Sequence, residues 1–225
     1  MRNYIKCLIN PTYFLYYFRK FKIEKKFKIK HLIIGIGSSI NNSDICEFIY
    51  LGDNCQISNC KIGRHTYFNN NSTAKNATIG NFCSIASNVI IGVGNHPTTM
   101  VSTHPAFYSN NKGFKTFSDK MYYEENDIIN IGNDVWIAED VKIIGKVTIG
   151  NGAIIATGSI VTKDVPAYAI YGGIPARLIK YRFDELTISK LQSIKWWEFG
   201  EQDLINNYKD FQDTNLFIGK YYKKE

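Results

Sequence analysis

Two of the four histidines, His96 and His104, stand eight residues apart in NHPTTMVSTHP, and each precedes a proline. An imidazole has an ordinary pKa of about 6.5, so near pH 7 it is mostly neutral and able to take a proton from a reluctant nucleophile such as a hydroxyl. The proline after His104 favours extended backbone there, which suits a loop segment shaping a pocket. Metal and thiol chemistry find less support. The five cysteines, Cys7, Cys46, Cys55, Cys60 and Cys83, contain no CxxC pair and are odd in number, so neither a zinc site nor a disulfide framework is expected and a reducing cytoplasm fits.

What must position these histidines is a repeat. From Ile131 the chain divides into IGNDVW, IAEDVK, IIGKVT, IGNGAI, IATGSI and VTKDVP, each opened by an aliphatic residue and carrying a small or β-branched one in fifth place. IGNFCS, IASNVI and IGVGNH continue the pattern from Ile79, Ile85 and Ile91, while LGDNCQ and IGRHTY repeat it one residue out of phase. A period of six matches neither a helix nor a half-buried strand. It matches a short strand and a tight corner stacked turn upon turn, with Gly or Ala where the backbone bends. The repeat therefore predicts a β-solenoid over residues 50–96 and 131–166, left by a loop of 34 residues, 97–130. An excursion that long in a compact domain is usually functional, and His96 closes the last block before it.

These blocks, the Asn95-His96 pair at the mouth of the loop, NDVWI, GSIVTKDVP, YGGIPARLIKYRF and the later KWW resemble the hexapeptide-repeat acyltransferases over residues 50–200. The likeness is to the branch that holds the xenobiotic (chloramphenicol and streptogramin) acetyltransferases and their relatives that O-acetylate bacterial surface sugars. It implies an all-β solenoid, a left-handed parallel β-helix spanning an acetyltransferase domain at 50–183, with 97–130 as the active-site loop. It also implies transfer of acetyl from acetyl-CoA to a hydroxyl without a metal or a covalent enzyme intermediate, in a homotrimer that binds CoA between subunits.

Residue by residue, the resemblance makes His96 the general base, and one backbone N–H suffices for the oxyanion. Asn95, His104 and Trp136 fall where the acceptor is contacted. His104 competes with His96 as the base, and Trp136 stands either at a subunit contact or beside the active site. Ala138, Ala156, Thr157, Ser159 and Thr162 match the places that line the pantetheine arm. Arg177 and Lys180 match the basic places that meet the CoA phosphates. Phe107, Tyr108 and Phe114 offer rings that could stack on a sugar or pack locally.

The ends read differently. Residues 184–225 form a helical tail, opened by Asp184 as a cap and carrying Leu186, Leu191, Ile194 and Trp197 at helical spacing, which covers the open end of the solenoid. His31 and His65 read as structural. Residues 1–49 are a basic, aromatic lead-in that either rests on anionic lipid at the inner membrane face or forms a solvated cap on the first coil. Its CLINPTYFLYYF tract is too short to span a bilayer. The net charge of +7 suits an anionic partner, without a motif for nucleic acid. The function expected is an acetyl-CoA-dependent O-acetyltransferase of the cytoplasm acting on a capsule, O-antigen or related glycan. The alternatives are a xenobiotic acetyltransferase and a non-catalytic β-helix scaffold.

Overall fold

The computed structural model describes residues 11–27, 31–125 and 127–223. Short strands stack into three parallel sheets that wall a left-handed β-helix. The aliphatic residue of each hexad points inward, so three buried columns fill the prism. Ile34, Leu51, Phe68, Ile85, Ile137 and Ile155 stack on the first wall. Ile40, Ile57, Ala74, Ile91, Ile143 and Val161 stack on the second. Ile45, Ile62, Ile79, Ile131 and Ile149 complete the third. Each such aliphatic side chain contributes roughly 1.5–3 kcal/mol on leaving water. The fifth hexad place is a tight corner filled by Cys55, Cys83, Val135, Ala153 and their like, which explains Cys55 and Cys83, whereas Cys46 is exposed. The buried pair are small apolar fillers, and burial pushes the Cys83 thiol up to about 12.

The solenoid begins at Ile33–Ile34, well before residue 50, so the lead-in of 1–49 is partly the first coil. The reason is a shorter period. Coils before the loop repeat every 17 residues, with Ile33 opposite Tyr50 and Tyr50 opposite Tyr67; coils after it repeat every 18. The shorter coils turn one corner on Asn42, Asn59 and Asn76, whose φ values are 43°, 52° and 51°. Asparagine tolerates this left-handed backbone, and the three side chains bond in a ladder at 2.7 and 3.0 Å. A strict count of six cannot register such a coil. At another corner His31, Phe48, His65 and Phe82 stack ring on ring, with centroids 4.9, 4.5 and 4.7 Å apart.

Both ends carry helices. The helix Pro11–Phe27 closes the first coil, its Tyr16 hydroxyl donating to the Ile34 carbonyl and Ile23 packing on the core. At the other end the strand Ala176–Tyr181 pairs antiparallel with Ala169–Gly173 and takes the last open edge of its sheet. Helices Glu185–Ile194, Glu201–Asn207 and Thr214–Tyr221 then fold along one corner, burying Leu191, Trp197 and Phe217, whereas Leu186 faces solvent. Asp184 caps the first helix as expected, accepting from the Thr187 N–H at 2.9 Å. The tail is fastened by Arg64, which bonds Glu201 at 2.5 Å and the Trp197 carbonyl at 3.2 Å.

Candidate active site

The chain leaves the second wall at the strand Ile90–Val93 through a shift of register between Ile91 and Val93. Gly92 makes the shift, with φ 90°, and a Cβ there would lie 2.2 Å from the Lys75 carbonyl oxygen. No other residue fits without moving the neighbouring strand. The bulge aims Asn95 and His96 outward at the root of the loop, which occupies 94–128 because Ile129 and Asn130 already pair with Ala77 and Thr78. Asn95 latches the loop's returning limb: its Nδ2 donates to Asp127 at 2.8 Å and its backbone N–H to the Glu125 carbonyl at 3.2 Å. That amide was expected on the acceptor and is instead engaged with the protein.

The loop has a core of its own. Pro97, Ala106, Tyr108 and Ser109 are buried, and the Tyr122 N–H donates to the Tyr108 carbonyl at 2.8 Å. His96 Nδ1 lies 2.9 Å from the Thr103 carbonyl oxygen and 2.8 Å from the Tyr108 hydroxyl oxygen. A carbonyl only accepts, so Nδ1 bears the proton and in the neutral ring the lone pair is on Nε2. The Tyr108 hydroxyl donates onward to Glu125 at 2.6 Å, and Lys112 pairs with the same carboxylate. Burial would raise the Glu125 carboxyl, but hydrogen bonds from Lys112 and Tyr108 outweigh it and hold the carboxyl below its ordinary value. Burial and the Glu125 bond push the Tyr108 phenol well up, keeping it protonated. The result is a relay from Lys112 through Glu125 and Tyr108 to His96 Nδ1 that fixes one tautomer.

His104 has the opposite assignment. It precedes the short 3-10 turn Pro105–Phe107, and its Nδ1 accepts from the Ala106 N–H at 3.1 Å. Its neutral ring therefore carries the proton on Nε2, and its lone pair is spent on the backbone. Tyr108, offered above as a ring for stacking on sugar, is fully buried in the relay; Phe107 and Phe114 remain exposed, against Phe117 and His104. Glu125 and Lys112 escaped sequence reasoning because their link to His96 runs through loop folding and not through a period. The acid cluster YYEEND on the returning limb is the only trace of it.

Trp136 lies on the first wall and is 51% exposed, in an outward column with Ile33, Tyr50, Tyr67, Ser84 and Ile154. Ala138 and Ala156 stack at the next corner, where the Ala138 N–H donates to the Ile155 carbonyl and a Cβ on Gly172 would approach that of Ala156 to 3.2 Å. Thr157 and Thr162 are exposed beside this smooth strip. Ser159 is not available to a ligand: it is buried, donates to the Ala156 carbonyl at 2.6 Å and accepts from the Gly173 N–H at 3.2 Å. Arg177 and Lys180 project from the terminal hairpin, both exposed, with Arg177 Nη1 also on the Ala176 carbonyl at 2.9 Å.

Residues 129–163 match the family model described as bacterial transferase hexapeptide (six repeats). A chloramphenicol acetyltransferase of Morganella morganii is 36% identical over 150 residues, 65% of this chain and 71% of that protein. The chain belongs to the hexapeptide-repeat acetyltransferases. A chloramphenicol acetyltransferase of Agrobacterium fabrum is 41% identical over 122 residues, which take in 53% of this chain and only 58% of that relative's length. A hexapeptide-repeat acetyltransferase of Vibrio cholerae, crystallised with acetyl-CoA, superposes with a TM-score of 0.47 at 25% identity over 66% of this chain and 72% of the other.

Proposed function

We propose that this protein is an acetyl-CoA-dependent O-acetyltransferase with His96 as its general base. The observation that carries the reading is the state of the two loop histidines: His96 holds its proton on Nδ1 and keeps Nε2 for a substrate, whereas His104 has committed its lone pair to the Ala106 N–H. Acetyl-CoA, the acyl donor, supplies the acetyl group as a thioester. Nε2 takes the acceptor hydroxyl's proton as that oxygen attacks the thioester carbonyl, and it returns the proton to the departing sulfur as the C–S bond breaks. While the ring is charged, the Thr103 carbonyl and the Tyr108 oxygen, backed by Glu125, stabilise it.

The corner of Ala138 and Ala156 leaves room for a pantetheine arm, with Thr157 and Thr162 as polar contacts and Arg177 and Lys180 facing the phosphates. Ser159 acts behind this strip by closing its corner. The exposed apolar column through Tyr50, Tyr67 and Trp136 suits a contact between copies of the chain, so we assign a homotrimer with the arm bound between subunits and Trp136 at its edge. The acceptor we assign is a hydroxyl of a bacterial surface glycan, reached in the cytoplasm where acetyl-CoA is made, with Phe107, Phe114 and His104 shaping its pocket. The second reading, a drug acetyltransferase, draws on the chloramphenicol acetyltransferases at 36% and 41% identity.

Thiol release from acetyl-CoA, measured across sugars, lipid-linked glycans and chloramphenicol, separates these readings. Acceptor-dependent release that disappears in His96→Ala while CoA still binds supports the enzyme and identifies the acceptor class. Release only with chloramphenicol establishes the second reading. A chain that neither releases thiol nor binds CoA is a scaffold.

A further inference from the structure

The helix Pro11–Phe27 faces the first coil with Tyr16 and Ile23 and turns its other side to solvent. A helix that only closes a solenoid presents a polar outer face, because that face meets water. Here Phe14, Phe18 and Phe21 are 61%, 48% and 62% exposed, with Leu15 and Tyr17 exposed beside them. At 100° per residue Tyr17, Phe21, Phe14 and Phe18 follow one another across the outer face, Lys25 falls between Phe14 and Phe18, and Lys22 and Arg19 continue beyond Phe18. The helix sequence contains one acid, Glu24, against Arg19, Lys20, Lys22, Lys25 and Lys26. The Lys22 ammonium sits 4.5 Å from the centre of the Phe18 ring, so cations and rings interleave along one ridge.

We propose that this outer face docks on the surface of an anionic lipid bilayer, with Phe14, Phe18 and Phe21 at the boundary of headgroups and acyl chains and Arg19, Lys22 and Lys25 on lipid phosphates. Two features favour lipid over a second copy of the chain. A symmetric contact through this face would oppose like charges, and rings that avoid water beside cations that need phosphate find both only at a bilayer interface. The helix, about 25 Å long, lies flat. No described helix is long and apolar enough to cross a membrane.

The docking is independent of the chemistry at His96, and so is its test. Full-length protein is floated with vesicles of phosphatidylcholine containing phosphatidylglycerol, and with vesicles of phosphatidylcholine alone, at low and high salt. The expected result is flotation with the anionic vesicles, weakened by salt, and little with the neutral ones. Reversing Arg19, Lys22 and Lys25 to Glu is expected to lower the partition coefficient by at least about a hundredfold. Phe14→Ser, Phe18→Ser and Phe21→Ser together are expected to lower it with circular dichroism and solution mass unchanged. Failure of the wild type to float with anionic vesicles overturns the proposal, as does equal flotation with neutral ones. Retention on heparin or RNA without flotation overturns it in favour of a polyanion. A fall in solution mass of the triple Ser variant overturns it in favour of a subunit contact.

Discussion

His96 in the loop and His65 in the corner stack both stand near a carboxylate, and the two spend different ring nitrogens on the protein. His65 is held by Phe48 on one face and Phe82 on the other, at 4.5 and 4.7 Å, while its Nε2 meets Glu201 at 2.8 Å. Both faces are used to stack the solenoid corner, and the outer nitrogen fastens the helix Glu201–Asn207 to it. His96 is tied through one nitrogen, and its carboxylate acts at one remove through Tyr108. A histidine beside an acid is therefore no sign of a base. What separates the two is which nitrogen the protein consumes.

The widest separation between them is expected from alanine. His96→Ala removes the proposed proton acceptor, so kcat is expected to fall by about 10² to 10⁴, while the exposed site costs little stability. His65→Ala behaves in the opposite sense: kcat is unchanged, and loss of two ring contacts and the Glu201 bond lowers stability by about 1–3 kcal/mol. Steady-state kinetics and thermal unfolding on the same two proteins check both halves. A His65 variant that folds normally but loses turnover would break the comparison.

Tyr108→Phe sharpens it next. The ring still fills the loop core, but the relay from Glu125 stops one atom short of His96. A hydrogen bond to a group that becomes charged is worth about 1.5–3 kcal/mol, so kcat is expected to fall about ten- to hundredfold with KM for acetyl-CoA unchanged. An equal loss in KM and none in kcat would make Tyr108 a packing residue only.

Much of this is legible in the sequence. Ile79, Ile85, Ile91 and the openers from Ile131 each face the core, and the gap between Ile91 and Ile131 is the loop that carries His96. The coil from Ile33 was not legible, because Asn42 turns its corner in one residue fewer and destroys the count of six. Nor were Tyr108, Glu125 and Lys112, since a relay inside an irregular loop has no period. Asn95 and Ser159 have the residue types expected of a site, yet their polar atoms answer Asp127 and the Ala156 carbonyl. Residue type and spacing locate a polar group; only its partner says what the group is free to do.

The pH response distinguishes the regions further. The Glu125 carboxyl is held below the ordinary 4.5, so the stability it lends the loop is fully present above 4.5 and is lost as pH falls through the depressed value. Hydrogen exchange at the Tyr122 N–H, which donates to the Tyr108 carbonyl, is then expected to stay slow down to that range and to accelerate below it. Glu125→Gln removes this acid dependence. If protection falls instead between pH 5 and 7, the loop depends on a histidine and not on Glu125.

The smallest effect belongs to His104. Its Nδ1 caps the Pro105–Phe107 turn by accepting one N–H, and losing such a cap costs about 1 kcal/mol of local stability. His104→Ala is therefore expected to leave kcat within tenfold of wild type, and His104→Asn, which can also accept from the Ala106 N–H, to restore the difference. Rescue by asparagine is the informative outcome, because asparagine caps but is no base near neutral pH. If His104→Asn is as damaged as His104→Ala and both match His96→Ala, the tautomer argument has chosen the wrong ring.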